Sequence, residues 1–384
     1  MAEAKTPRRI RRQGSKAGKG GKPAPVHPGA RKTAVKATVK DIARAAGVSI
    51  ATVSRVLNNP DIVVAKKRDA VLRALRRHDY IPNQTARSMI SRRSRAIGLI
   101  LPTLANPVFV PAIAAIEQEL DRAGYALLIN CCERDPAREL AQTRTLIERG
   151  MDGLLITGSE HLPELPALLA RHRIPYVSQD IALDKPMGPS IGLDNAGALA
   201  SAVDHLHACG HRRIAVLSGP IHNTPSVRDR FLSAVERIRY HGLACPDAWC
   251  AVSDDYDNHS TRMAAGRLLE CGKRPTAVAL TGDLLALGLM SECRARGLDI
   301  PRDLSIIGCG DTNMGQYADP PLTTIRMPFV DMGRAAARNL LALIAGDKPP
   351  KLSILPHELL VRQSVASLSF PTRRRREREA RGEW

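Results

Sequence analysis

The sequence predicts a small all-α helix-turn-helix headpiece followed by a larger α/β body, and three observations carry that reading. Residues 38–59, TVKDIARAAGVSIATVSRVLNN, place Ile42, Ala43, Ala46, Val48, Val53, Val56 and Leu57 at helical spacing on both sides of a glycine turn. Beyond residue 95, short apolar runs alternate with amphipathic stretches, as in parallel sheets covered by helices. The chain carries 57 Lys and Arg against 38 Asp and Glu, a formal charge of +19, and that charge is confined to its ends.

Residues 1–37 hold eleven basic side chains and one acid, Glu3. Rich in Gly and Pro as well, they read as a disordered tail. In the headpiece, Gly47 suits a left-handed helix end and Ser49 suits an N-cap, so two short helices meet across a tight turn. The second helix of such a motif enters the major groove of DNA. An ordinary helical hairpin is the plainer alternative, and the basic surroundings speak against it. Residues 65–78, AKKRDAVLRALRRH, put Val71, Leu72 and Leu75 on one stripe and Lys66, Lys67, Arg73, Arg76 and Arg77 elsewhere, which predicts a third helix with a wet basic face. Pro82 ends it. Asn83 then opens a short segment, QTARSMIS, too short for a stable free helix and hence a candidate switch.

In the body, strands are expected at 96–101, 126–131, 153–157, 175–179, 213–218, 277–281 and 305–308, with helices such as 111–122 and 198–208 between them. Residues 96–370 carry a net charge of −3 and are long enough for two lobes. Ligands of such folds sit at the carboxyl ends of strands.

Several classes are excluded or disfavoured. No apolar run approaches a membrane span and no secretory h-region appears, which predicts a cytoplasmic protein. Eight cysteines without a C-x-x-C pair read as reduced, mostly packed thiols, Cys131 and Cys132 among them. His205, His207, Cys209 and His211 do not share one helix face and read as a helix end and turn rather than a metal site. The glycines and lysines of 18–22 lack the spacing and preceding strand of a phosphate loop. With no nucleophile–base motif, no paired catalytic carboxylates and no metal signature, neither an enzyme nor a cofactor is expected.

KDIARAAGVS, ATVSRVLNNP and YIPNQTARSM, in this order, together with Asn106-Pro107, Gly150-x-Asp152-Gly153, Gly210-His211-Arg212-Arg213-Ile214 and Pro320-Pro321-Leu322-Thr323-Thr324-Ile325, resemble the lac-repressor family of bacterial transcription regulators over roughly 38–366. The resemblance implies a periplasmic-sugar-binder-like pair of lobes. It divides the chain into a basic tail (1–37), a headpiece (38–82), a hinge and linker (83–95), an effector-binding and dimerisation body (96–370) and a basic C-terminal tail (371–384). It also implies operator DNA and a small effector as partners, and a homodimer, because 371–384 lacks the family's tetramerising leucine heptads.

Carried over by residue, the resemblance makes Ile50 and Ala51 the base-selecting positions. Being apolar, they would read thymine methyls or shape. Arg55 would be the main polar reader or a phosphate contact, Thr52 and Ser54 suit contacts to the DNA backbone, and the capping Ser49 counts with them among the DNA-binding residues. Asn83, Ala86 and Arg87 fit the hinge, and Met89 stands where the family wedges a leucine into the minor groove. Asn106, Phe109, Asp180, Arg230, Tyr256, Asp283, Gly310, Asp311 and Phe329 match effector positions, with Asp180 expected just after its strand. Two departures stand out: Gly310 occupies a position usually filled by a sugar-clamping aspartate, and Gly282 one usually filled by asparagine. With fewer carboxylates and Arg230 retained, a sugar acid such as gluconate is the expected effector, as in the gluconate-repressor branch. The alternatives are a solute-binding protein of the same fold, an activator, or a regulator responding to purines or neutral sugars.

Overall fold

The computed structural model describes residues 37–80, 93–181 and 188–368. It forms two compact units that divide between Pro82 and Asn83.

The first unit contains helices α1 (Val39–Ala46), α2 (Ile50–Asn58) and α3 (Ala65–Arg77). Thr38 and Asp41 cap α1 reciprocally: the Asp41 carboxylate accepts from the Thr38 N–H at 2.9 Å, and Thr38 Oγ1 accepts from the Asp41 N–H at 3.4 Å. Gly47 ends α1 at φ 65°, ψ 36°, a left-handed conformation that costs glycine little. Ser49 Oγ then accepts from the Thr52 N–H at 3.2 Å to start α2. Ile42, Ala43, Val53, Val56, Val71 and Ala74 form the core of this unit. Leu72 departs from the expected stripe and is 39% exposed, because Ala74 takes the inward place with Val71.

The second unit runs β1 (Ala96–Leu101), α4 (Val110–Arg122), β2 (Ala126–Cys131), α5 (Pro136–Glu148), β3 (Gly153–Thr157), α6 (Glu164–Arg171), β4 (Tyr176–Ile181) and β5 (Ser190–Leu193). It continues through α7 (Asn195–Ala208), β6 (Ile214–Ser218), α8 (Pro225–Tyr240), β7 (Cys250–Val252), α9 (Asn258–Leu269), β8 (Ala277–Leu280), α10 (Asp283–Ala295), β9 (Ser305–Cys309), α11 (Asn313–Gln316) and β10 (Thr323–Arg326). It closes with α12 (Phe329–Ala345), β11 (Leu352–Leu355) and β12 (Glu358–Leu360).

Two six-stranded sheets result, ordered β11-β5-β4-β3-β1-β2 and β12-β10-β9-β8-β6-β7. All neighbours are parallel except β10 and β12. Helices cover the strands, whose central members are buried on both faces: Leu154, Leu155 and Ile156 of β3 and Val278, Ala279 and Leu280 of β8 are fully buried. The chain passes between the sheets at 193–195, 326–329 and 355–358, which makes two lobes joined by three adjacent strands of backbone.

Each of the seven expected strands is present. β4 extends to Ile181, so Asp180 lies within the strand rather than after it, held at φ +87°. Five strands were not anticipated: β5, β7, β10, β11 and β12 have only three or four residues, too few to show a period. Asp152 ties the start of the body together, accepting from the N–H groups of Ser94 and Arg95 at 3.0 and 2.9 Å. No helix among the described residues is long and apolar enough to cross a membrane.

Candidate functional site

In the first unit, the α2 start presents a small exposed face. Ile50 is 47% exposed, and Ala51 and Arg55 are also exposed, while Val53 and Val56 of the same helix are buried. Thr52 and Ser54 are half-buried beside them. The Ser49 hydroxyl is engaged at home, with the Thr52 N–H and with Thr52 Oγ1 at 2.9 Å, so its first role is to hold the helix start. Lys66, Lys67, Arg73, Arg76 and Arg77 are exposed along α3. An apolar tip with one arginine, on a unit rich in exposed cations, suits a groove with anionic walls. The hinge residues Asn83, Ala86, Arg87 and Met89 lie outside the described residues.

In the second unit, a cavity of about 190 Å³ opens between the lobes at the carboxyl ends of the strands. Asn106, Phe109, Asp180, Arg230, Tyr256, Asp283 and Phe329 all line it. Phe109 meets Phe329 edge to face, their centroids 6.4 Å apart. Asn195, the first residue of α7, joins the two lobes chemically. Its Nδ2 donates to the Asp180 carbonyl at 3.0 Å, and its Oδ1 accepts from Arg230 Nε at 2.8 Å. A terminal nitrogen of Arg230 also donates to the Thr281 carbonyl at 3.1 Å, so the buried guanidinium is fixed before any ligand arrives. Burial raises the Asp180 carboxyl above its ordinary range, against the opposing pull of Arg230 and a hydrogen bond from Ser226.

Two family models match the chain: bacterial regulatory proteins of the lacI family over 38–83, and a periplasmic binding protein-like domain over 203–365. The transcriptional repressor CytR of Escherichia coli K12 is 34% identical over 342 residues, covering 88% of this chain and 99% of CytR. The chain belongs to the LacI family of bacterial regulatory proteins. The repressor PurR of Klebsiella pneumoniae is 32% identical over 344 residues, covering 88% of this chain and all of PurR. Among solved structures, a lac repressor dimer bound to operator and the anti-inducer ONPF superposes with a TM-score of 0.77 at 28% identity, covering 86% of this chain and all of that one. As a LacI-family member the chain is a sequence-specific DNA-binding regulator controlled by a small-molecule effector, not an enzyme.

Two effector positions implied by the family resemblance do not line this member's cavity. Asp311 is drawn into an ion-pair cluster with Arg326 Nε at 2.9 Å and with Arg362. Burial opposes its ionisation, but the hydrogen bonds from Arg362 and Arg326 outweigh that and hold its carboxyl below the usual range. Gly310, at φ +136°, is not among the lining residues, although a Cβ there would come within 3.3 Å of Val108, which is. Asp283 does line the cavity, yet its carboxylate is already occupied. Thr324 Oγ1 donates to one oxygen at 2.6 Å, and the Thr312 N–H donates to the other at 2.7 Å. Burial raises this carboxyl too, against those hydrogen bonds.

The structure adds residues that sequence reasoning missed. Arg134, at the mouth of the first lobe with φ +59°, lines the cavity and stands 5.8 Å over the ring of Tyr256 from the opposite lobe. Its Nε is buried without a hydrogen-bond partner, as are Asp180 Oδ1 and Thr224 Oγ1. Cys132, expected only to pack, is buried and also faces the cavity. Glu160 and Arg228 bridge the lobes at 3.2 Å. No sequence signal marks Arg134, because its position depends on a left-handed turn formed without glycine. The histidine cluster spans the last turn of α7 and the turn after it, where His211 is buried between Thr276 Oγ1 and the Ala366 carbonyl, both at 3.1 Å.

Proposed function

We propose that this regulator is a dimeric repressor whose cavity takes a sugar acid such as gluconate. The observation that carries the proposal is which polar atoms of the cavity remain uncommitted. Five acidic side chains line it, and four are engaged inside the protein: Asp135 caps α5, Glu139 meets His161 at 2.8 Å, Glu160 meets Arg228, and Asp283 is held by Thr312 and Thr324. What remains is the guanidinium of Arg134, which has no carboxylate in ion-pairing range among the described residues, with Thr224 Oγ1 and Asp180 Oδ1. A ligand that offers an anionic oxygen to the arginine and hydroxyls to the threonine and aspartate satisfies all three. Gly282, in the lining itself, contributes no further carboxylate to repel it. Tyr256, Phe109 and Phe329 supply apolar surface for the carbon skeleton, and they would equally suit a flat neutral ring, which is the competing reading.

On the DNA side, Ile50 and Ala51 select bases by contact and shape, Arg55 reads or anchors, and Thr52 and Ser54 position the helix. Two copies on a pseudo-palindromic operator match the twofold symmetry of a dimer. The effector acts by population shift, favouring one arrangement of the lobes and so altering DNA affinity.

A thermal-melt screen against gluconate, neutral sugars and purines tests the effector. A ligand at a hundred times its dissociation constant adds about 2.7 kcal/mol, which moves the midpoint by several degrees. A shift with gluconate that is lost in Arg134→Gln supports the proposal. A shift only with neutral sugars or purines overturns the sugar-acid reading and leaves the regulator intact.

A further inference from the structure

Away from the effector cavity, the Sγ atoms of Cys245 and Cys250 lie 3.4 Å apart, the one sulfur–sulfur contact among the described residues. Both are free and half-buried, on the connection from α8 to β7. The four residues between them form a tight turn, with the Trp249 N–H donating to the Pro246 carbonyl at 2.8 Å. Trp249 is 5% exposed, and its indole N–H donates to the Lys273 carbonyl at 3.0 Å, which pins the turn to the lobe. Cys250 is fixed in turn by pairing in register with Val216 of β6. The two thiols are therefore held against each other by the fold rather than meeting by chance.

We propose that Cys245 and Cys250 form an oxidative modification site, at which a peroxide converts the two thiols into an intrachain disulfide. A disulfide needs its sulfurs at about 2.05 Å, a closure of roughly 1.4 Å that side-chain rotation supplies. The chemistry has two steps. The Cys245 thiolate attacks one peroxide oxygen; the S–O bond forms, the O–O bond breaks, and the departing oxygen leaves as water after taking up a proton. Cys250 sulfur then attacks the Cys245 sulfenic acid; the S–S bond forms, the S–O bond breaks, and the hydroxyl leaves as water with the Cys250 proton. Each disulfide consumes one peroxide and yields two waters.

The surroundings assign the order. The Cys250 thiol hydrogen-bonds to Cys245 and lowers the Cys245 pKa, with Arg239 adding to the effect against burial and Asp247. The same hydrogen bond and burial raise Cys250. With Cys250 as the donor of that contact, in which either sulfur could donate, Cys245 is the nucleophile and Cys250 the resolving thiol. The remaining cysteines lack such a partner: Cys293 and Cys309 are buried, and burial pushes them up to about 12 and about 11. Beyond β7 the chain continues to Tyr256 in the cavity wall, so the cross-link would form on the segment that carries a ligand-facing side chain.

The test is peptide mass spectrometry on the full-length protein after graded hydrogen peroxide and alkylation. Both cysteines fall on one tryptic peptide, between Arg239 and Arg262. The expected product loses both alkylation sites, is lighter by two hydrogens, and reverts with dithiothreitol. In Cys250→Ser the disulfide is lost, and Cys245 proceeds instead to sulfinic acid. Cys250→Ala serves the same purpose should the serine variant fold poorly. Recovery of both thiols fully alkylated, or sulfinic acid at Cys245 in the unsubstituted protein, would falsify the proposal.

Discussion

Gly219 follows β6 where the ring of Tyr256 closes over the backbone, and a Cβ there would stand 2.6 Å from the ring. Gly219→Ala is therefore expected to push Tyr256 out of the cavity wall and cost about 1–3 kcal/mol by overpacking. A lowered melting midpoint together with weakened effector binding checks this; unchanged binding would show that the ring does not face the ligand. At the α1 start, Thr38→Ala removes the reciprocal cap and is expected to cost about 1 kcal/mol. Hydrogen bonds from Thr38 hold the Asp41 carboxyl below its ordinary 3.8. The contribution of Asp41 is therefore complete above that value and lost as pH falls through the lower folded-state value. Amide exchange in the first turn of α1, followed against pH, should show protection disappearing only in that acid range, and Thr38→Ala should flatten the profile. At this scale, residues whose chemistry depends on local sequence were legible: Gly47 as a helix stop, Ser49 as a cap. Asp180, Arg230 and Tyr256, which line the cavity, were singled out only through family resemblance. Arg134 and Asn195 were not, because their roles come from a turn conformation and a lobe junction that adjacent residues do not encode.

Helix α12 crosses α4 so closely that a Cβ on Gly333 would lie 2.4 Å from the Ala112 carbonyl oxygen. Since the obstacle is backbone, no smaller side chain at position 112 relieves it. Gly333→Ala should force the two helices apart and cost about 1–3 kcal/mol, measured by urea unfolding. The double variant with Ala112→Gly should recover little; full recovery would mean that side-chain volume rather than main-chain approach limits the contact. Element type was readable wherever an apolar run was long enough, as in β1, β3 and β6. It failed for β10, β11 and β12, whose three or four residues are too few to show a period and become strands only by pairing with neighbours distant in sequence. It also failed at Leu72, where a stripe drawn from hydrophobicity alone overlooked that Ala74 packs more closely.

For the molecule as a whole, the charge distribution makes its own forecast. Residues 1–37 carry a formal +10. Deleting them should flatten the dependence of log affinity on log salt, while leaving the ranking of operator sequences unchanged. An unchanged slope would remove the tail from DNA binding, and a changed ranking would make it a base reader. The two-lobed plan itself was legible from strand–helix alternation and length, because parallel sheets impose that rhythm. The pairing of the last strands was not, since nothing in a four-residue segment states which sheet it joins. That pairing has a consequence for anyone who would take the protein apart. Residues 352–360 place β11 in one sheet and β12 in the other, and the long helix before them returns to the first lobe. Neither half is thus a continuous stretch of chain. A recombination that exchanges effector halves between relatives must cross over at all three passages, and a single crossover would build at least one lobe from segments of both parents.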